Sequence, residues 1–502
     1  MSIREALARR LQLPRLADTS ASPAPRADSD RRATLAILIV AVILGGSLRF
    51  YRLGADEMSR GEAASWTAAA APTVAGSFAL SQQLNPGKAG IYDVALHLWI
   101  DAVGDRVGAM RTLSALLGTL TILVLFITVR ELLAALDDAD GSLSPELAAA
   151  FAALLFACNL RMITTDRTAR MYPLMLIATL AQIWFFIRSS RRRGAANVIA
   201  AGFFTALATA CNFIVLGFFA AEALWLALLW LPSQSRKVLG RISVTRPGAA
   251  LILAAAMFIP LGIVDVRAAL GALHAGVLGT IEPQPPWWPV RALMVLTGNA
   301  AFWPLTLMAL YATWRQRSTH RLGVLFILCW LVIPFGLIEI VSYAITPLMV
   351  ERYVLPSLVA FLVLAAIGIA SVRGAALRYA IAILVVGQSL AHLHHHWRNP
   401  EDVQWREAAR FAVAATPAGR QVAVVPLEPL MVLRYYLDQP QRLRLVGARA
   451  QLDPASRVWT IACGPEPILI ADSALPSASL QQISSCYPRL LKRFRLVEVR
   501  AR

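Results

Sequence analysis

A succession of long apolar runs, separated by short arginine-bearing loops, constrains this chain more than any other feature of its sequence. A helix that crosses a bilayer needs roughly 20 mainly apolar residues, and loops rich in Arg or Lys stay on the cytoplasmic side. Read by those rules, residues 33–51, 107–133, 146–160, 173–187, 195–210, 213–231, 249–264, 292–314, 322–342, 353–372 and 379–390 are the membrane crossings. They make a polytopic α-helical membrane protein of about eleven spans, amino terminus inside and carboxyl terminus outside. The stretch 91–103 is too short to cross and carries Asp93, His97 and Asp101, so it reads as an interfacial helix. The basic run "RSSRRR" at 188–193 checks the alternation, because counting 91–103 as a crossing would place it outside.

Composition agrees with this reading: 57% of the 502 residues are hydrophobic and 16% charged, outside the balance of a soluble globular chain. The net charge of +18 sits mainly on loop arginines and follows from membrane topology, so no nucleic-acid partner is expected. Residues 1–33 are rich in Arg, Ser and Pro, with no apolar core before a cleavage site. They read as a disordered cytoplasmic tail ahead of a signal anchor. Residues 34–391 form the membrane module, with a first outer loop at 52–106. From 392 to 502 the texture changes: "WREAARFAVAA" and "PLMVLRYYL" have helical periodicity, and "QVAVV", "RLRLV", "VWTIA" and "FRLVEV" read as strands. A small extracytoplasmic α/β domain is expected there. Cys463 and Cys486 share it, and an outside location would allow a disulfide. No CxxC spacing occurs, so no zinc site is expected; no cofactor is indicated, and the pattern neither requires nor excludes a divalent metal. The "HLHHHW" run at 392–397 and "PQPPWWPV" at 283–290 read as interfacial polar and aromatic clusters.

The informative charges are those that topology does not explain. "LRFYRLGADEMSRGEAASW", residues 48–66, places Asp56, Glu57 and Glu62 with Arg52 and Arg60 on the outer face. Lys88, one of only three lysines, lies in "LNPGKAG". "NLRMITTDRTARMYP" puts Arg161, Asp166, Arg167 and Arg170 at the outer end of a span, and "VERYVLP" starts another with Arg352 and Tyr353. Cations there oppose the insertion bias and cost roughly 2.5–3.5 kcal/mol each at mid-depth on insertion scales. Two arrangements offset that cost. An anionic ligand such as a lipid phosphate meets them, or they pair with Glu62, Asp166 and Glu351 and hold helix ends together.

These residues resemble the GT-C superfamily of integral-membrane glycosyltransferases, in the branch of protein mannosyltransferases and aminoarabinose transferases. "LRFYRLGADEMSRGEAASW" is similar to that branch's first-loop pattern, with Glu62, Ala63 and Ser65 on its E-A-x-S end. "PGKAGIYDVALHLW", "GDRVGAMRTLSALLG", "ARMYPL", "ERYVLPSL" and "QWREAARF" follow in the family's order, over most of residues 34–440. The resemblance implies an inverting transferase on the extracytoplasmic face of the bacterial inner membrane. It would take a sugar from a polyprenyl-phosphate donor to a hydroxyl of a lipid, glycan or protein, with membrane lipids around it. It also implies roles: Glu62 as base, Asp166 assisting it or binding sugar, and Lys88, Arg170 and Arg352 holding the phosphate with Tyr92, Tyr172 and Tyr353. Where the family pairs Asp with Glu, this chain has Gly61 before Glu62, and the prolines after the Lys are Ala89 and Gly90. Glu62 then works alone or Asp56 or Glu57 substitutes. The alternatives are a lipid-phosphate transporter or a non-catalytic relative.

Overall fold

The computed structural model describes residues 25–85, 87–135, 143–191, 194–229, 245–257, 284–317, 321–345 and 349–398; beyond these it describes 263, 405–406, 422–425, 427–436, 443–445, 457–463, 466–472 and 495–499. The first described element is α1 (Pro25–Phe50), followed by three short helices, α2 (Arg60–Ala69), α3 (Val74–Leu84) and α4 (Ile91–Val103). Then come α5 (Val107–Ala135), α6 (Pro145–Cys158), α7 (Leu160–Asp166), α8 (Tyr172–Arg191), α9 (Ala195–Cys211) and α10 (Leu216–Leu229). The set continues with α11 (Thr245–Met257), α12 (Trp288–Thr297), α13 (Asn299–Arg315), α14 (Arg321–Ala344), α15 (Leu355–Ser371) and α16 (Ala375–Arg398).

The apolar runs are largely helical over their described residues, and among those residues six helices are long and apolar enough to cross a membrane, or up to eight if each of two bent pairs is one span. Helix α1 begins at Pro25, so residues 25–33 of the expected tail are helical. Proline is favoured at a first helical position. Helix α15 is buried over its whole length and is apolar all round, as the central element of a bundle must be. It packs on α6, α13 and α14.

Two runs that read as continuous spans are broken. Between α6 and α7 the axis bends by 64° at Asn159, whose Oδ1 accepts from Met162 N (3.1 Å) and whose Nδ2 donates to Leu296 O (3.1 Å). The side chain satisfies backbone groups that the break frees. Between α12 and α13 the bend is 111° at Gly298, which holds φ +82° with the His392 ring where a Cβ would stand. Only glycine takes that conformation at little cost.

The last elements are α17 (Leu427–Tyr436) and strands β1 (Val422–Val425), β2 (Leu443–Leu445), β3 (Arg457–Cys463), β4 (Glu466–Asp472) and β5 (Arg495–Val499). They form one sheet of order β2-β1-β4-β3-β5, with β1 parallel to β2 and the other pairs antiparallel. Strand β4 was not expected, because Gly464, Pro465 and Pro467 punctuate its start like a loop. Cys486 and most of the helix expected at 405–415 lie outside the described residues.

Candidate active site

The loop between α1 and α5 is organised by one buried ion pair. Ser59 caps α2, and Glu62 returns the bond: its Oε2 accepts from Ser59 N at 2.9 Å. Arg111, one turn into α5, donates from Nε to Glu62 Oε1 (2.7 Å) and from Nη2 to Oε2 (3.0 Å). Its remaining N–H groups go to Leu53 O, Asp56 O and Glu57 O at 3.0, 2.9 and 2.8 Å. Ala169 N adds a fourth donor to Glu62, at 2.9 Å from Oε1. Each oxygen of this carboxylate therefore accepts twice. Burial opposes the charge on Glu62, but Arg111 and the two backbone donors outweigh it and hold the carboxyl below the usual glutamate range.

The other acidic candidates are also engaged, in different places. Asp166 is fully buried and accepts from Arg49 Nε at 2.7 Å, while Arg49 Nη1 donates to Gly45 O and Ala157 O. A Cβ on Gly118 would overlap the Asp166 carboxyl. Gly118→Ala is therefore expected to destabilise the protein by about 1–3 kcal/mol through overpacking, read as a lower melting temperature in detergent. An unchanged melting temperature would mean that α5 and α7 do not meet this closely. Asp56 is half-exposed and pairs with Arg167 at 3.3 Å. Glu57 accepts from Arg406 N at 3.1 Å, and Met58 N donates to the Tyr436 hydroxyl at 2.7 Å, so this turn contacts the C-terminal helix α17.

The cations do come together. A small cavity is lined by Ser65 from α2, Ser81 from α3, Asn85, Lys88, Tyr92 and Asp93. Asn85 Oδ1 accepts from Arg170 Nη1 (3.0 Å) and Lys88 Nζ (3.4 Å), and its Nδ2 donates to Asp93 Oδ2 (3.1 Å). Ser81 Oγ donates to the same Asp93 oxygen, and Arg170 Nη1 also reaches Ser65 Oγ at 3.0 Å and Gly61 O. Burial, and then the charge of Arg170 with that of Arg352, hold the half-buried Lys88 amine well below an ordinary lysine, although Asp93 pulls the other way. The charges of Arg352 and Arg170 also act on the Tyr172 phenol, and the Arg352 guanidinium lies 5.6 Å from the centre of the Tyr353 ring. Tyr92 shares a hydrogen bond with Ser114 Oγ at 2.8 Å. Among the described residues no group of His, Cys, Asp or Glu is arranged to hold a metal ion.

Thus Lys88 and Tyr92 line the cavity, Arg170 is bonded to two of its lining residues, and the charge of Arg352 acts on Lys88 and Tyr172, whereas Glu62, Asp56, Glu57 and Asp166 do not line it. Asp93 does, and the sequence reading gave it only an interfacial place. The signal was present: a carboxylate five residues after the one lysine between the first two expected spans, in the first turn of a helix. Gly61 faces Arg170, with a Cβ position 3.3 Å from Nε, so an acidic residue there would compete for this cation.

No family profile and no curated protein matches the sequence. Solved structures match the fold. ArnT from Cupriavidus metallidurans, bound to undecaprenyl phosphate, is similar over 96% of this chain and 97% of its own, at 13% identity and a TM-score of 0.54. The Archaeoglobus fulgidus oligosaccharyltransferase in its apo form is similar over 83% of this chain at 11% identity and a TM-score of 0.55. AglB from the same organism, with an inhibitory peptide and a dolichol-phosphate, gives 78%, 12% and 0.52. The chain spans 65% and 59% of the length of those two archaeal chains. With its apolar helix bundle and the short helices between α1 and α5, this chain shares the fold of these solved membrane proteins.

Proposed function

We propose that the protein transfers a sugar from a polyprenyl-phosphate donor to an acceptor hydroxyl of a lipid, glycan or protein, on the extracytoplasmic face of a bacterial inner membrane. The supporting observation is that Lys88 and Tyr92 line one cavity, with Arg170 bonded to the same Asn85 oxygen as Lys88 and the charge of Arg352 acting on Lys88. On this reading the chain crosses about eleven times with its amino terminus inside. Residues 34–391 form the catalytic module, and 392–502 a small outer domain containing the sheet.

The reaction is a single displacement with inversion. The acceptor oxygen attacks the anomeric carbon, the bond from that carbon to the phosphate oxygen breaks, and its electron pair stays on the phosphate. Lys88, Arg170 and Arg352 stabilise the charge that develops there, with donors already aimed at it. Such charge-assisted bonds are short and strong, and arginine forks onto phosphate oxygens. The acceptor proton needs a carboxylate within hydrogen-bond reach. Asp93 fills that role, since it lines the cavity. Glu62, with both oxygens twice occupied, is a positioning residue that fixes Arg111 and the loop before α2.

Purified protein, incubated with a radiolabelled polyprenyl-phosphate sugar and a lipid extract of the host, is expected to transfer the label. Passage across a vesicle without transfer would instead identify a transporter, and neither result would identify a non-catalytic relative. Asp93→Asn is expected to lower turnover about 100- to 10,000-fold while donor binding persists. Turnover within threefold of wild type would remove Asp93 as proton acceptor.

A further inference from the structure

A second concavity lies on the other flank of α2. It has a volume of about 520 Å³, and its lining includes Trp66, Thr67, Leu80, Asp105 and the C-terminal helix residues Arg434 and Tyr435. Small-molecule sites occupy roughly 300–1,000 Å³, mostly apolar with a few placed polar groups. This groove fits that description, and none of its residues belongs to the cation cavity.

Its chemistry is selective. The Trp66 and Tyr435 rings meet edge to face, 5.0 Å apart at 86°. The Tyr435 hydroxyl donates to Asp105 O at 3.0 Å, which fixes that ring against the α4–α5 turn. The Asp105 carboxylate and the Arg434 guanidinium are exposed at the groove, and among the described residues neither forms an ion pair. The Trp66 indole N–H has no hydrogen-bond partner, an unusual state for a shielded donor. Rigid aromatic faces beside one acid and one base suit a ligand whose flat C–H face stacks and whose hydroxyls need both donors and acceptors. A saccharide has that alternation. A lipid phosphate does not suit a groove that carries Asp105. A peptide is disfavoured because none of the described strands contributes an edge to the groove.

We infer that this groove is a saccharide-binding subsite for the acceptor. The inference rests on the transferase reading above and narrows its acceptor to a glycan or a glycan-bearing lipid. Helix α2 links the two sites, because Ser65 lines the cation cavity and the next residue, Trp66, lines the groove. Successive helical residues point about 100° apart, so the two sites lie on adjoining faces of α2, and the groove holds the non-reacting sugars of an acceptor whose reacting hydroxyl extends to the cation cavity.

The test uses the full chain in nanodiscs and saturation-transfer NMR with chitotriose, maltotriose and mannotriose. At least one is expected to bind saturably, and Trp66→Ala and Arg434→Ala each to weaken it tenfold or more. Thermal unfolding reports whether each variant is folded, and Arg434→Ala alters an exposed side chain if Trp66→Ala is not. Binding by none of the three sugars overturns the inference, as does equal binding in both folded variants or Trp66-dependent binding of an unstructured peptide instead. Polyprenyl phosphate binding, measured on the same wild-type preparation, keeps the two readings apart. If it persists while every sugar fails, only the groove assignment falls; if it is absent, the transferase reading falls with it.

Discussion

Glu62→Ala is expected to destabilise the protein by about 3–5 kcal/mol, because it strands the Arg111 guanidinium in a buried site. Arg111 is 3% exposed and would keep its three carbonyl acceptors but lose the only carboxylate it touches among the described residues. Ser59 N and Ala169 N would lose an acceptor at the same time. Replacing both partners of a buried pair with apolar residues of like volume is often nearly neutral. Here the Glu62→Leu, Arg111→Met double variant should stay destabilised, since Leu53, Asp56 and Glu57 would each be left with a carbonyl lacking its donor. Denaturant titration in detergent measures all three proteins. If Glu62→Ala unfolded within about 0.5 kcal/mol of wild type, the loop would not depend on this pair. The consequence for enzymology is direct: loss of transfer in a Glu62 variant is interpretable only beside its stability.

The second large effect is on donor binding. Lys88→Ala or Arg170→Ala removes a hydrogen-bonding cation worth about 1.5–3 kcal/mol, so affinity for a short-chain polyprenyl phosphate should fall about 10- to 150-fold. Calorimetry in two buffers of different ionisation enthalpy adds a sign. In the empty site the Lys88 amine is held well below an ordinary lysine, first by burial and then by its cationic neighbours. A bound phosphate restores the proton, so binding takes up protons and weakens as pH rises from the depressed value towards that of a free lysine. The same shift acts on folding. The folded chain binds fewer protons than the unfolded one across that window, so the cost of burying charged Lys88 is full below it and fades as pH climbs through it. Lys88→Ala should lose both dependences. Unchanged affinity, or binding without proton uptake in wild type, would place the phosphate elsewhere.

Much of this was legible because it reflects solvent and topology. Apolar runs announce their helices, and Lys88, Arg170 and Arg352 stand out because they lie where the insertion bias disfavours them. What stayed hidden depends on partners brought together by folding. Arg49 and Asp166 lie 117 residues apart, and Glu62 and Arg111 lie 49 apart, so no local pattern couples them. Arg111 was also masked by its setting, inside a run that otherwise reads as a span. Asp93 looked like an ordinary amphipathic residue until Asn85 placed it opposite Lys88. The breaks at Asn159 and Gly298 carry residues suited to them, but hydropathy averages across both.

Arg111 also limits where the molecule can move. One guanidinium gathers three carbonyl groups and a carboxylate from within ten residues, so the turn leading into α2 cannot swing outward without stripping every donor at once. That makes the loop between α1 and α5 a fixed jamb. Arg352, by contrast, stands exposed in a single 3₁₀ turn. Of the three cations given to the phosphate in the proposed reading, Lys88 and Arg170 thus share the Asn85 oxygen beside the jamb, and Arg352 stands on the short turn.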